Sequence, residues 1–230
     1  MLEISLARLT LMVLPLVAVA WISWRWTSRT AELGVATARM VVQLLAMGYV
    51  LVILFGVRNP WMAIAVVLFM IALSSWIAVR TVRKARGAAY LDALLATGIG
   101  GGINFALVIF GVLGLEPWYE LTYVVPLGGM IFSNAMTAVT LSAERFDAER
   151  AAAQSHVAAR NTAWKAALIP QINSFLAVGL VSLPGMMTGQ ILAGASPLDA
   201  VRYQIMVMAM ILGSAGLAVA IFLSRRVTRD

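Results

Sequence analysis

The chain of 230 residues contains no cysteine, one histidine and few charged residues. The absence of cysteine excludes disulfides and thiolate metal sites. His156 alone cannot form a histidine-rich metal site. The sequence also lacks a Walker A motif, a GxSxG elbow, an HExxH motif and paired carboxylates, so it carries no recognisable enzyme motif. The cations stand in short clusters between apolar runs, which excludes a basic nucleic-acid-binding face.

Apolar residues dominate what is present. They make up 62% of the chain, and the mean hydropathy is +0.91. A soluble domain of this size needs far less apolar surface, so the sequence predicts an all-α integral membrane protein. About seven apolar segments reach the length of roughly 20 residues that crosses a bilayer. They span residues 6–24, 38–57, 61–79, 91–115, 121–143, 168–194 and 201–223.

Positive charge alternates between the connections of these segments. Because cytoplasmic loops hold the excess of Lys and Arg, the N-terminus is predicted outside and the C-terminus in the cytoplasm. We expect a single transmembrane domain over 1–230, multi-pass in the cell inner membrane, with a cytoplasmic loop at about 144–165. The cytoplasmic side receives Arg25, Arg29, Arg80, Arg83, Lys84, Arg86, Arg145, Arg150, Arg160, Lys165, Arg225, Arg226 and Arg229. The other side receives Arg8, Arg58, Arg202, Glu116, Glu120 and Asp199.

The stretch 166–194 is long enough to cross the membrane but is interrupted by polar residues, Pro170 and Pro184. Proline cannot donate to the helical ladder, and in lipid the freed groups must be satisfied by protein or by water in a cavity. On a helical wheel Ser182 and Gly185 share a face with Gly189 and Ala193, which favours close helix packing. Two interpretations remain: a Pro-kinked packing helix, or a broken helix beside a substrate path.

The fourth and fifth segments carry further polar or helix-weakening residues. A glycine run precedes Asn104, which needs a partner, and Pro126 with Gly128 and Gly129 is expected to break or bend the fifth segment. Two interrupted spans around one cytoplasmic loop are typical of a permease. The predicted substrate-path residues are Gln43, Asn104, Ser133, Asn134, Thr137, Gln171, Asn173, Ser182, Pro184, Met186, Met187, Thr188 and Gln190.

Charged residues are not expected at mid-membrane, which argues against a carrier driven by a carboxylate proton relay. The methionines beside the polar groups are either gap-filling core residues or soft ligands suited to Cu(I), so the identity of any metal stays open. Without a nucleotide site of its own, the chain is expected to bind no cofactor. It would use ATP only through a partner ATPase.

Four blocks carry a family resemblance. They are ARMVVQLLAMGYVL at 38–51, VVPLGGMIFSNAMTAV at 124–139, AALIPQINS at 166–174 and GLVSLPGMMTGQILAG at 179–194, the last followed by DAVRYQIMVM. In this order they make the chain similar to the FetB/YbbM-type family of ABC permeases. That family includes bacterial proteins assigned to iron export and plant aluminium-tolerance proteins.

The resemblance implies a permease subunit with about seven membrane spans that exports metal, with iron as the best-supported cargo. It also implies a homodimer that works with a separate cytoplasmic ATP-binding subunit. The loop before AALIP is shorter than in the family and lacks its LGA(T/S)P-type segment. The alternatives are therefore a stand-alone passive carrier or channel, or a membrane scaffold without transport. The candidate residues for ATPase coupling are Glu144, Arg145, Arg150 and Arg160.

Overall fold

The structure is a computed structural model that describes residues 5–27, 30–82 and 86–229. Within these ranges the chain is helical, and the β contact recorded there is an isolated bridge between Val178 and Ser182. The helices are α1 (Leu6–Leu9), α2 (Val13–Thr27), α3 (Thr30–Phe55), α4 (Pro60–Ala78), α5 (Arg86–Ala106), α6 (Leu121–Ala151), α7 (His156–Ala177), α8 (Gly185–Leu192) and α9 (Pro197–Arg229). A 3₁₀ turn (Thr10–Met12) joins α1 to α2, and a π-helical segment (Leu107–Val112) follows α5.

The chain separates into two compact units, 1–56 and 57–230. The first contains α1 to α3, with α2 and α3 in contact with each other. The second contains α4 to α9. The organisation as a single transmembrane domain stays a prediction.

In the second unit, α9 packs against α5, α6, α7 and α8. The contact between α5 and α9 is close because its residues are small: position 100 is glycine, and it faces the backbone of Ala218. Hydroxyl groups add bonds between helices. Thr140 donates to the carbonyl of Ala78 at 3.1 Å, and Ser75 donates to that of Ala93 at 3.3 Å. In a membrane the hydrophobic effect does not drive helices together, so close packing of small residues and hydrogen bonds from hydroxyl groups stabilise the contacts between these helices.

Local sequence explains where two of these helices begin. Asn59 accepts a hydrogen bond from the backbone of Trp61 at 2.8 Å, and Pro60 occupies the first helical position of α4. Ser155 accepts from the backbone of Ala158 at 3.2 Å and caps α7. Both side chains satisfy amides that lack a partner at a helix start, and proline is tolerated there because it has no N–H to satisfy.

Six helices are long and apolar enough to cross a membrane, by length and composition, among the described residues. They correspond to all the predicted segments except 168–194, and the all-α membrane fold is confirmed. The excepted segment is not one helix, because α7 ends at Ala177 and α8 begins at Gly185. The count of seven crossings and the orientation of the termini stay predictions.

The fifth predicted segment, residues 121–143, continues as a helix into the residues predicted as a cytoplasmic loop. Helix α6 runs on to Ala151, and after a turn at 152–155 the chain reverses into α7. Most of the cytoplasmic loop predicted at about 144–165 is therefore helical and belongs to this α6–α7 hairpin. Of the two outcomes expected at Pro126, the break is wrong, since α6 continues through that residue, and the bend stays a prediction. Proline has no backbone N–H, so Pro126 removes one hydrogen-bond donor from α6 without ending the helix.

Candidate functional site

The interruption between α7 and α8 is the main irregular feature of the second unit. After α7, Gly179 adopts φ of 81° and donates its backbone N–H to the carbonyl of Ser182 at 2.9 Å. This left-handed conformation costs glycine little, so the chain can turn tightly there. Pro184 then precedes α8 as its N-cap residue. The interruption predicted at Pro184 is confirmed, whereas α7 continues through Pro170. Ser182 lies in the exposed turn, so the predicted helical face containing it is wrong.

A pocket of about 400 Å³ lies between this interruption and α9. Its size is within the range of about 300–1,000 Å³ found for small-molecule sites. The end of α7 and the following turn contribute Phe175, Val178, Gly179 and Leu183, and α8 contributes Met187. Helix α9 contributes Val201, Gln204, Ile205, Met208 and Ala209.

The predicted polar residues of this region take different positions. Gln171 is buried on α7, and its Oε1 accepts no hydrogen bond from the described residues. The Oε1 of Gln190 is likewise enclosed and without such a partner. Thr188 donates to the carbonyl of Pro184 at 3.2 Å, and Asn173 is exposed. Met186 packs against the apolar cluster around Phe132, as a methionine that fills a gap in the core would.

The predicted polar patch on α6 satisfies itself within its own helix. Ser133 and Asn134 donate to the carbonyl of Met130 at 3.4 and 2.8 Å, and Thr137 donates to that of Ser133 at 3.0 Å. None of the three lines the pocket beside α8. The structure thus separates this patch from the interruption that the sequence grouped with it.

Two predicted path residues lie elsewhere. Asn104 is buried on α5, donates to the carbonyl of Gly100 at 2.9 Å, and faces Gly213 of α9 so closely that a Cβ there would collide with its Oδ1. Its observed role is helix packing. Gln43 lies on α3 in the first unit.

The candidate coupling residues cluster around the α6–α7 hairpin. Arg145 pairs with Glu149 at 2.5 Å, and Arg150 donates to the carbonyl of Gln154 at 2.5 Å, which satisfies an acceptor beyond the end of α6. Glu144 is exposed. Arg160 bonds to Asn161 Oδ1 at 3.1 Å and lines a groove of about 300 Å³ with Asn161, Trp164, Ala220, Leu223 and Ser224.

Sequence reasoning missed two ion pairs at the Arg225 end of α9. Arg225 Nε donates to Asp92 of α5 at 2.6 Å, and the Asp92 side chain is 1% exposed. Arg226 pairs with Asp147 of α6 and lies over the Phe146 ring. Two consecutive arginines thus tie α9 to two other helices. The sequence did contain a signal for these pairs: Asp92 lies at the start of the fourth apolar segment, and Arg225 and Arg226 follow the seventh.

The buried amide of Gln204 was also missed, although it is a polar residue within the seventh apolar segment. The described residues contain no group of three or more His, Asp or Glu side chains that could hold a metal ion. The side chains with heteroatoms among the residues that line the pocket are Met187, Met208 and Gln204.

Comparison with known proteins identifies the family. The sequence matches the uncharacterised protein family UPF0014 over residues 5–160 and 149–229. It is 35% identical to the probable iron export permease protein FetB of Escherichia coli K12, over 81% of this chain and 76% of the relative. It is 34% identical to the protein ALUMINUM SENSITIVE 3 of Arabidopsis thaliana, over 82% and 73%.

A third relative is the UPF0014 membrane protein slr1647 of Synechocystis, which is 31% identical over 85% of this chain and 81% of the relative. No solved structure matches the chain. The matched regions include the interrupted stretch between α7 and α8 as well as the α6–α7 hairpin. The chain is a multi-pass membrane protein that belongs to the UPF0014 family.

Proposed function

We propose that this chain is the permease subunit of an ABC-type exporter in the cell inner membrane, and that iron is its cargo. The observation that carries the proposal is the 35% identity to a probable iron export permease over most of both chains. The interrupted helix beside a pocket supports it, since transporters place substrate at discontinuous helices. The substrate-path residues that belong to this region are Met187, Pro184, Thr188 and Gln190 with Gln171.

Energy would come from a separate cytoplasmic ATP-binding subunit, with two permease copies forming the path. The α6–α7 hairpin is the proposed contact for that subunit because it joins two long helices by a short turn. Motion at the hairpin would reach the interruption along α7, which ends where the pocket begins. The arginine pairs at the end of α9 would keep α5 and α6 moving with α9.

Co-purification of the full chain with a candidate cytoplasmic ATP-binding protein from the same organism tests this directly. The complex is expected to hydrolyse ATP faster than the ATP-binding protein alone. Arg160→Glu should lower this stimulation about tenfold, since reversing a charge at an interface is commonly worth about 1.4 kcal/mol or more. Arg202→Glu at the other end of α9 is the matched control, and it should leave the stimulation unchanged.

Failure of the two proteins to associate, or an equal loss from both variants, would contradict coupling through the hairpin.

One observation favours a second candidate, a stand-alone carrier. The connection between α6 and α7 is a short turn at 152–155, whereas the family resemblance implies a longer segment there. That candidate predicts transport that proceeds without ATP.

A further inference from the structure

Gln43 is a polar side chain at the centre of an apolar span. It lies on α3, where residues 31–55 are long and apolar enough to cross a membrane, and position 43 is the midpoint of that stretch. Its neighbours Val42 and Leu44 are exposed and apolar, as expected for a helix in lipid. The hydrocarbon core of a bilayer offers no water to an amide, so the Gln43 side chain needs a protein partner there.

The first unit does not supply that partner. Helix α2 packs against α3, but the Gln43 side chain is exposed and makes no hydrogen bond with the described residues of this unit. Thr37 of the same helix, by contrast, donates to the carbonyl of Leu33 at 2.9 Å. A hydroxyl on α3 is thus satisfied locally, whereas the amide at its centre is not.

The polar groups described in the second unit are poor partners for an amide on another surface. The unpartnered Oε1 atoms of Gln171 and Gln204 are enclosed, so they cannot be reached from outside that unit. Ser133 and Thr137 are exposed on α6, but both already donate to carbonyls of their own helix. None of these four groups offers a free donor or acceptor to Gln43.

A second copy of this chain does offer both. A glutamine amide contains a donor and an acceptor, so two such amides that face each other satisfy each other. A two-fold axis along the membrane normal brings the same residue of both copies to the same depth. Glutamine side chains form hydrogen bonds of this kind between membrane helices. We propose that α3 pairs with α3 of a second copy, with the two Gln43 amides bonded to each other at the centre of the contact.

The residues around Gln43 fit such a pairing. Ala36, Ala46 and Val50 lie three or seven positions from Gln43 and therefore share its helix face, and the two alanines allow the helices to approach closely. Arg39 is also on this face. Its Cβ tilts toward the start of the helix, so its long side chain can extend to the membrane surface and carry its charge away from the contact.

This pairing deepens the proposed function and rests on it in one respect, because it identifies where the two permease copies meet. Its physical basis is α3 alone. The test needs no ATP, no iron and no ATP-binding protein, so its result is independent of whether the chain couples to ATP.

Cysteine cross-linking of the purified full chain in lipid vesicles tests the pairing. The chain contains no cysteine, so a single introduced cysteine can form a disulfide only between two copies. Ala46→Cys places a thiol on the face of Gln43, and Leu45→Cys places one on the opposite face as the matched control. Under copper phenanthroline oxidation, Ala46→Cys should run as a dimer on a denaturing gel, whereas Leu45→Cys should stay monomeric.

The role of the amide is measured by a second substitution in the Ala46→Cys variant. Gln43→Leu should slow formation of the cross-linked dimer about fivefold, which corresponds to about 1 kcal/mol of association free energy. Gln43→Asn keeps an amide and should cross-link at close to the rate of the parent. Leucine is as apolar as the residues beside it, so the span stays intact, and size-exclusion profiles with thermal midpoints check that each variant folds.

Three results would overturn the pairing: no dimer from either cysteine, equal dimer from both, or a rate that Gln43→Leu leaves unchanged. No dimer together with a lower thermal midpoint in Gln43→Leu would assign the amide to a contact within one chain. No dimer together with reaction of Ala46→Cys with a water-soluble maleimide would assign it to an aqueous path. Cross-linking without ATP coupling would keep the pairing and remove the exporter, so the two proposals fail separately.

Discussion

Replacing Arg225 by leucine is expected to lower the free energy of unfolding by about 2–3 kcal/mol. The change removes the cation that lies 2.6 Å from Asp92, whose side chain is buried. Breaking a buried ion pair costs about 3–5 kcal/mol because the buried charge that remains loses an oppositely charged partner. The lower figure applies because the Arg225 side chain is 40% exposed, so solvent already screens part of the interaction.

The thermal midpoint of the full chain in detergent measures this effect, and Arg202→Leu provides a matched control. Arg202 is on the same helix and pairs with Asp199 at 3.4 Å, but both side chains are largely exposed. Exposed pairs contribute about 0–1 kcal/mol, so this variant should melt close to the wild type. If both variants melt alike, the pair of Arg225 with Asp92 does not hold α9 to α5.

Replacing Gly100 by alanine is expected to destabilise the chain by about 2 kcal/mol. A Cβ at this position would lie 2.6 Å from the backbone nitrogen of Ala218 and 3.0 Å from its Cα. Backbone atoms cannot rotate away as a side chain can, so α5 and α9 must separate. Overpacking of this kind costs about 1–3 kcal/mol, more than the gain in helix propensity from glycine to alanine.

Gly102→Ala is the control on the same helix, because no atom lies within 4 Å of a Cβ built there. It should be neutral or raise stability by up to about 1 kcal/mol through helix propensity alone. The thermal midpoint of Gly100→Ala should therefore fall, while that of Gly102→Ala should stay unchanged or rise. A stable Gly100→Ala variant would show that the two helices are not in close contact at this point.

Much of the fold follows from local sequence. Apolar runs of membrane length identified the helices other than the interrupted one, since length and composition alone determine them. Pro184 marked the interruption between α7 and α8 correctly. Pro126 did not break α6, because a proline within a packed membrane helix need not end it.

The candidate site was less accessible to sequence reasoning. The α6 patch around Asn134 and the α8 residues looked alike as polar groups in apolar runs, yet only Met187 of the predicted path lines the pocket. Which helices meet there depends on packing between distant segments. The pair of Asp92 with Arg225 spans 133 positions, so neither charge by itself indicated its partner.

Cellular iron content in a strain that lacks the chain and its candidate ATP-binding partner tests whether the chain exports iron with that subunit. Cells would express this chain alone, with the active ATP-binding protein, or with a version of that protein inactivated in its nucleotide site. Total iron, measured by mass spectrometry, should fall only when the chain and the active subunit are present together. An equal fall with the chain alone would contradict it.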